Sequence, residues 1–241
     1  MSESNIPIPL DWADKDRHFL SKATSIEHAV SFGFHVENSG EKNYFLGSGE
    51  IKCSRHIQLL VKGRSNFLGF AGGGKINSSR IQILGNGNTI LIGENFDIDS
   101  TRIQIQGNNC KIAIGNNFRV NAGTYILAKE DDRNVRIGDD CLFSTNIVIR
   151  TSDNHGIFDL ATRTRINSAK DVTISSRVWI GEDAKILKGV HIDSDSIIGA
   201  SSVVTKNVPS NVAVAGNPAR IVREGIFWYK HFTLPAEQSK S

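Results

Sequence analysis

Residues 174–208 read ISSRVWIGEDAKILKGVHIDSDSIIGASSVVTKNV, and one property of that stretch decides the fold. An aliphatic residue returns at every sixth position, at Ile174, Ile180, Ile186, Ile192, Ile198 and Val204, without a slip. Four positions after each of these stands Val178, Ala184, Val190, Ser196, Ser202 or Val208, all small or β-branched. Two inward positions in every six residues match neither the 3.6-residue period of an amphipathic helix nor the alternation of a half-buried strand. They match a polygon with six-residue sides. Three sides make a coil of roughly 18 residues, and coils stacked at the ~4.8 Å strand spacing let each strand pair its N–H and C=O groups with the coils on either side. The expected architecture is an all-β triangular parallel solenoid, not a sandwich of short strands.

Working outward towards the N-terminus, the repeat persists in a longer form. Residues 81–98 (IQILGNGNTILIGENFDI) laid over residues 103–120 (IQIQGNNCKIAIGNNFRV) give ten identities at an offset of 22. An Ile-Gly pair recurs at Ile92, Ile114, Ile137, Ile180 and Ile198. These earlier units therefore read as similar coils with lengthened corners, and the glycine after the inward aliphatic reads as the residue that turns the corner, since glycine tolerates positive φ. Residues 1–45 show no such phase and read as a cap, with one short helix expected over residues 14–28. The solenoid is expected over residues 46–220, interrupted by a loop at 156–170. Residues 221–241 form a C-terminal extension, of which 221–232, aromatic and basic, is expected to pack on the prism as a helix or strand, and 235–241 is a loose tail.

Composition limits the function. The 28 basic and 25 acidic residues are interspersed, so no extended polybasic surface for nucleic acid is implied. Cys53, Cys110 and Cys141 are far apart and show no CxxC spacing, which reads as a reduced, cytoplasmic chain. No stretch of about 18 apolar residues predicts a transmembrane segment, and the N-terminal residues lack the pattern of a signal peptide. No His/Cys cluster has metal-ligand spacing, so no metal is expected. Residues 71–75, AGGGK, lack the spacing of a phosphate-binding P-loop.

Among seven histidines, one stands apart. His155 follows the strand-like run 147–154 and opens the one clear break in the solenoid: 25 residues separate Ile149 from Ile174, seven more than one coil, and the intervening stretch is polar. A loop thrown out of a regular scaffold is where binding and catalytic groups concentrate. Histidine titrates near neutrality, so His155 is the candidate general base. His18, His28, His35, His56, His191 and His231 read as surface or packing residues. Asp153, Asp159 and a backbone carbonyl all remain open as the group that fixes the imidazole tautomer, with Asp153 two residues from His155.

The hexads, the following segment 203–209 (VVTKNVP) and the ending 215–220 (AGNPAR) resemble the hexapeptide-repeat acyltransferases over about residues 136–228. Asp153-Asn154-His155, Arg165-Ile166-Asn167, Val178-Trp179-Ile180-Gly181 and the tail 222–228 (VREGIFW) are most similar to capsular polysaccharide O-acetyltransferases, including enzymes that act on polymers of sialic acid. The resemblance implies left-handed coils, an exception to the right-handed crossover rule, acetyl-CoA as acyl donor, and His155 as the base. It places Trp179 at the acyl donor site, with an indole N–H able to donate to an oxyanion. It sets Lys206 and Arg220 at positions that face coenzyme phosphates, with Thr205 and Lys188 as further candidates. Gly181 and Ala200 keep the corners low, so that a pantetheine arm can lie along the prism.

Three flat faces suit a homotrimer, and the resemblance implies sites formed between neighbouring prisms. Arg163 and Arg165 lie in the loop that begins at His155, and a guanidinium fork suits an acidic saccharide acceptor; Arg165 fixing the loop to a neighbouring coil is the alternative. The expected reaction is direct O-acetylation of a sugar hydroxyl in a surface polysaccharide or its precursor. Its rivals are N-acetylation of a nucleotide-linked amino sugar and a non-catalytic binding solenoid, which would need neither the His155 loop nor the 216–220 ending.

Overall fold

The computed structural model describes residues 22–54 and 56–234. Ile174, Ile180, Ile186, Ile192, Ile198 and Val204 are each at most 1% exposed, and the companion positions Val178, Ala184, Val190, Ser196, Ser202 and Val208 are buried with them. The chain winds into a three-sided prism of parallel strands. The first face runs from Phe34–Ser39 to Val203–Val204, the second from Thr24–Ser25 to His191–Ile192, and the third from Ile51–Cys53 to Ala219–Glu224. Antiparallel pairs occur at the two ends, where Thr24–Ser25 meets Tyr44–Gly47 and where Ala219–Glu224 folds back on Val212–Gly216. One continuous apolar core fills the prism axis from Ile26 to Val214.

Register shows two coil lengths. In the C-terminal coils Ile174 pairs with Ile192, Ile180 with Ile198 and Ile186 with Val204, the 18-residue coil of the hexads. In the N-terminal coils Ile81 pairs with Ile103 and Ile103 with Ile126, coils of 22 and 23 residues. The extra residues sit at the corner between the first and second faces, and buried asparagines hold that corner. The Nδ2 groups of Asn43, Asn66 and Asn88 each donate at 2.9 Å to a glycine carbonyl of the next coil, at Gly63, Gly85 and Gly107. Their Oδ1 atoms accept the backbone N–H of Asn66, Asn88 and Cys110. The ladder satisfies backbone groups that the longer corner would leave buried and unpaired.

Three expectations are corrected. The glycine after each inward aliphatic does not supply the positive φ, which falls on corner residues such as Asn117, Asp140, Arg177, Asp183 and Asp195. Glycine is required there by close approach instead: a Cβ on Gly181 would lie 2.7 Å from the Ala200 nitrogen. The solenoid does not begin at residue 46, because Phe34–Ser39 already pairs in parallel with Ile57–Lys62. That first coil lacks the Ile-Gly phrase, so its period is invisible in sequence. Of the helix expected over 14–28, residues 14–21, with His18, lie outside the described residues, as does the tail 235–241; in the described part, 22–28, the helical element is the start of a 3-10 segment, Ile26–Phe32, whose Ile26 and Ala29 close the end of the core. The stretch expected to pack on the prism after residue 221 is the end of the strand Ala219–Glu224 and the segment that follows it.

Candidate functional site

The one long excursion among the described residues leaves the corner between the first and second faces after Val148–Arg150 and returns at Val172–Ile174. It is longer than spacing alone suggests. Ile149 lies on the first face and Ile174 on the second, one side of the triangle apart and not one coil apart. The regular step between those faces is six residues, as from Ile186 to Ile192, so nineteen of the 25 are extra.

This loop is braced from three coils. Arg165 reaches back to the preceding coil and grips Glu130 with both arms of its fork, Nη1 to Oε2 at 2.6 Å and Nη2 to Oε1 at 2.8 Å. The buried Ser152 hydroxyl donates to the same carboxylate at 2.6 Å. With these donors, Arg165 foremost, the Glu130 carboxyl is drawn down to about 2. From the following coil Lys188 donates to Asp153 Oδ2 at 2.6 Å and to the Asn167 carbonyl at 2.8 Å. Asn167, 8% exposed, joins the two halves: Nδ2 donates to the His155 carbonyl (2.8 Å) and to Asp153 (3.0 Å), while Oδ1 accepts from the Ile157 N–H (2.7 Å).

The expected site residues therefore take the following places. His155 is exposed at the start of the braced loop, its backbone held by Asn167 and its ring free of any hydrogen bond to the described residues. Asp153 is bonded to Lys188 and Asn167, and Lys188 above all holds its carboxyl below the usual range. Asp159 accepts from Ala161 N, Thr162 N and the Thr162 hydroxyl, which makes it the cap of its own turn. Arg165 ties the loop to a neighbouring coil, the alternative weighed for it, and its fork is fully used. Arg163 is exposed, with a positive φ of 59°. Lys188 is only 18% exposed at its side chain and belongs to the loop base, not to an open coenzyme edge. Glu130, Ser152 and the hub role of Asn167 escaped the sequence, because the contacts join residues 35 and 22 positions apart whose register is fixed only once the coil lengths are known.

Trp179 lies elsewhere. It is the outward residue of Trp179–Ile180 on the third face, 40% exposed, with the Trp228 ring 6.3 Å away. The corner that follows carries Gly181 and, one coil on, Ala200; Arg220 is exposed at the end of the same face. Thr205 and Lys206 are exposed on the His155 corner, one coil beyond Lys188. The third face is the one side of the triangle that does not touch the His155 corner. One chain thus presents His155, Thr205 and Lys206 on one edge and Trp179, Gly181, Ala200 and Arg220 on and beside the opposite face.

Thiol nucleophiles are absent from both groups. Burial pushes the Cys53 thiol up to about 11 and the Cys141 thiol up to about 12, and the Cys110 thiol is raised for the same reason. Among the described residues no group of three or more His, Cys, Asp or Glu side chains is placed to hold a metal ion, and no helix is long and apolar enough to cross a membrane.

The fold is that of a hexapeptide-repeat transferase. The family described as bacterial transferase hexapeptide (six repeats) matches residues 171–206. The polysialic acid O-acetyltransferase of Neisseria meningitidis is 31% identical over 197 residues, 81% of this chain and 90% of that protein. The polysialic acid O-acetyltransferase of Escherichia coli O1:K1 is 42% identical over 110 residues, 46% of this chain, and the match spans about a third of that protein's length (36%). The crystal structure of the polySia specific acetyltransferase NeuO superimposes with a TM-score of 0.78 at 33% identity, covering 86% of this chain and 87% of that one. The chain belongs to the hexapeptide-repeat transferase family, and its fold is the left-handed parallel β-helix of that family.

Proposed function

We propose that the protein transfers an acetyl group from acetyl-CoA to a hydroxyl of an acidic, sialic-acid-containing surface polysaccharide, with His155 as general base. The observation that carries this reading is the His155 loop, an exposed imidazole on a segment braced from three coils, in a chain similar over 81% of its length to the polysialic acid O-acetyltransferase of Neisseria meningitidis. His155 takes the acceptor hydroxyl proton as that oxygen forms the new C–O bond, and returns it to the coenzyme sulfur as the C–S bond breaks. The Trp179 indole N–H is the donor available to the intermediate's oxyanion. Transfer is direct, since neither group contains a thiolate and the Ser152 hydroxyl is buried and committed to Glu130.

The active unit is a homotrimer. His155 and Trp179 lie on opposite sides of one prism, so a functional pair forms when the loop edge of one chain meets the third face of the next. Gly181 and Ala200 then leave the pantetheine arm access to backbone, and Lys206 and Arg220 are the exposed cations for the coenzyme phosphates. Acetyl-CoA supply places the reaction in the cytoplasm.

His155→Ala tests the base. Turnover on sialic acid polymers should fall by at least ~10², with coenzyme affinity and melting little changed. A variant that keeps half of wild-type turnover removes the assignment. Hydroxylamine lability of the product separates an ester from the amide that N-acetylation would give.

A further inference from the structure

On the N-terminal side of Trp179 the third face presents one outward residue per coil, Arg119, Leu142 and then Trp179 in strict register. At the strand spacing, Arg119 stands about 10 Å from Trp179. Beside this column runs an open groove of about 420 Å³, lined by Arg119, Leu142, Arg177, Trp228, Tyr229 and Lys230 among others. Its outer wall is the segment after Glu224, which turns back along the prism and is pinned where Trp228 Nε1 donates to the Arg177 carbonyl at 2.7 Å. Leu142 and two aromatic rings form its apolar surface, and the groove is continuous with Trp179 through the Trp179–Trp228 contact.

We infer that this groove is a second saccharide subsite, which holds an acidic sugar of the acceptor chain one or two units away from the sugar that reacts at His155 and Trp179. The inference rests on the acetyltransferase reading and extends it to how the polymer is held. Aromatic rings offer flat apolar faces to sugar C–H groups, and the volume falls within the range of small-molecule sites. Arg119 is the cation for the sugar carboxylate. Its side chain is 51% exposed and its only intramolecular partner among the described residues is Asp97, at 3.5 Å. Arg177 serves as wall: its Nε and Nη2 donate to the two Asp195 carboxylate oxygens, each at 2.7 Å, which commits that edge of the guanidinium to the prism. Lys230 adds a second positive charge at the rim. The one carboxylate in the lining, Asp140, is held by the Asn117 amide at 2.9 Å. The occupant is acceptor and not coenzyme, because Gly181, Ala200 and Arg220 extend from Trp179 towards the C-terminal coils and the groove extends the other way.

The test uses the full-length protein and sialic acid oligomers of increasing length, with neutral glucose oligomers as control. Wild-type KM for the sialic acid oligomers should fall with length and then level off. Arg119→Ala and Tyr229→Ala should each raise the KM of long oligomers about tenfold, the loss of one charge-assisted or stacking contact, and flatten the length dependence. The KM for acetyl-CoA and turnover at saturating acceptor should stay within about twofold. Asp97→Asn, which frees Arg119, should move the acceptor KM the opposite way. Tryptophan fluorescence titration without acetyl-CoA reads the same affinities independently of catalysis. Length-dependent, Arg119-dependent binding without acetyl transfer would keep the subsite and remove the enzymatic reading. Acetyl transfer with unchanged length dependence in both alanine variants would remove the subsite and keep the enzyme. Absence of oligomer binding, or equal binding of neutral oligomers, overturns the subsite.

Discussion

Glu130 and Arg165 show what a single pair does for the site. Neither touches a substrate in the reading offered, yet together they fix the outer half of the loop to the coil before it. Glu130 in the folded chain has its pKa depressed from 4.5 to about 2, so the pair's contribution is fully present above pH ~4.5 and is lost as the pH falls from there towards about 2. The loop should therefore loosen below pH ~4 before the prism melts, and hydrogen exchange of the loop amides, compared with the strand amides at each pH, reads that directly. Glu130→Gln should produce the same loosening at neutral pH, at a cost of about 1 kcal/mol in global stability for a partly exposed pair. Equal loop protection in variant and wild type at neutral pH would show that Lys188 and Asn167 suffice. In the sequence, Arg165 was legible as a choice between acceptor and tie. What decides it is Glu130, which stands 35 residues away at a corner whose position depends on two different coil lengths.

Coils are legible where their period is constant. The hexads from Ile174 to Val208 show directly which residues point inward, because every corner there has the same length. The coils before Arg136 lose that regularity by adding residues at one corner. What their sequence does not reveal is that Asn43, Asn66 and Asn88 are stacked, since the third step of the column is Cys110, whose backbone N–H donates to Asn88 Oδ1. Asn66 is fully buried, donates to Gly85 O and accepts from the Asn88 N–H. Asn66→Ala should therefore cost about 2–4 kcal/mol, because it strands the buried Asn88 N–H and the half-buried Gly85 carbonyl and leaves a small void. Urea unfolding checks this. Asn86→Ala, an exposed change one coil on, should cost less than about 1 kcal/mol, and equal costs for the two would mean that the inner ladder is not what holds the long corner.

At the scale of the molecule, the two groups of site residues face away from each other in one chain, and that separation sets the last prediction. His155 rides the corner between the first and second faces, while Trp179 is on the third face. No loop motion of reasonable length carries the His155 imidazole across a packed prism, whereas a closed ring of three chains brings the two edges together three times over. If each site takes His155 from one chain and Trp179 from the next, the two single variants His155→Ala and Trp179→Ala, each nearly inactive alone, should complement when co-expressed. In randomly mixed trimers a given site receives an intact His155 with probability one half and an intact Trp179 from its neighbour with probability one half, so activity should recover to about a quarter of wild type. A double variant carrying both changes in one chain, mixed with wild type, supplies the control for assembly, and light scattering should give three times the chain mass. Failure of the two single variants to complement, in mixed particles shown to contain both chains, would place His155 and Trp179 in separate functions and return the third face to a packing role.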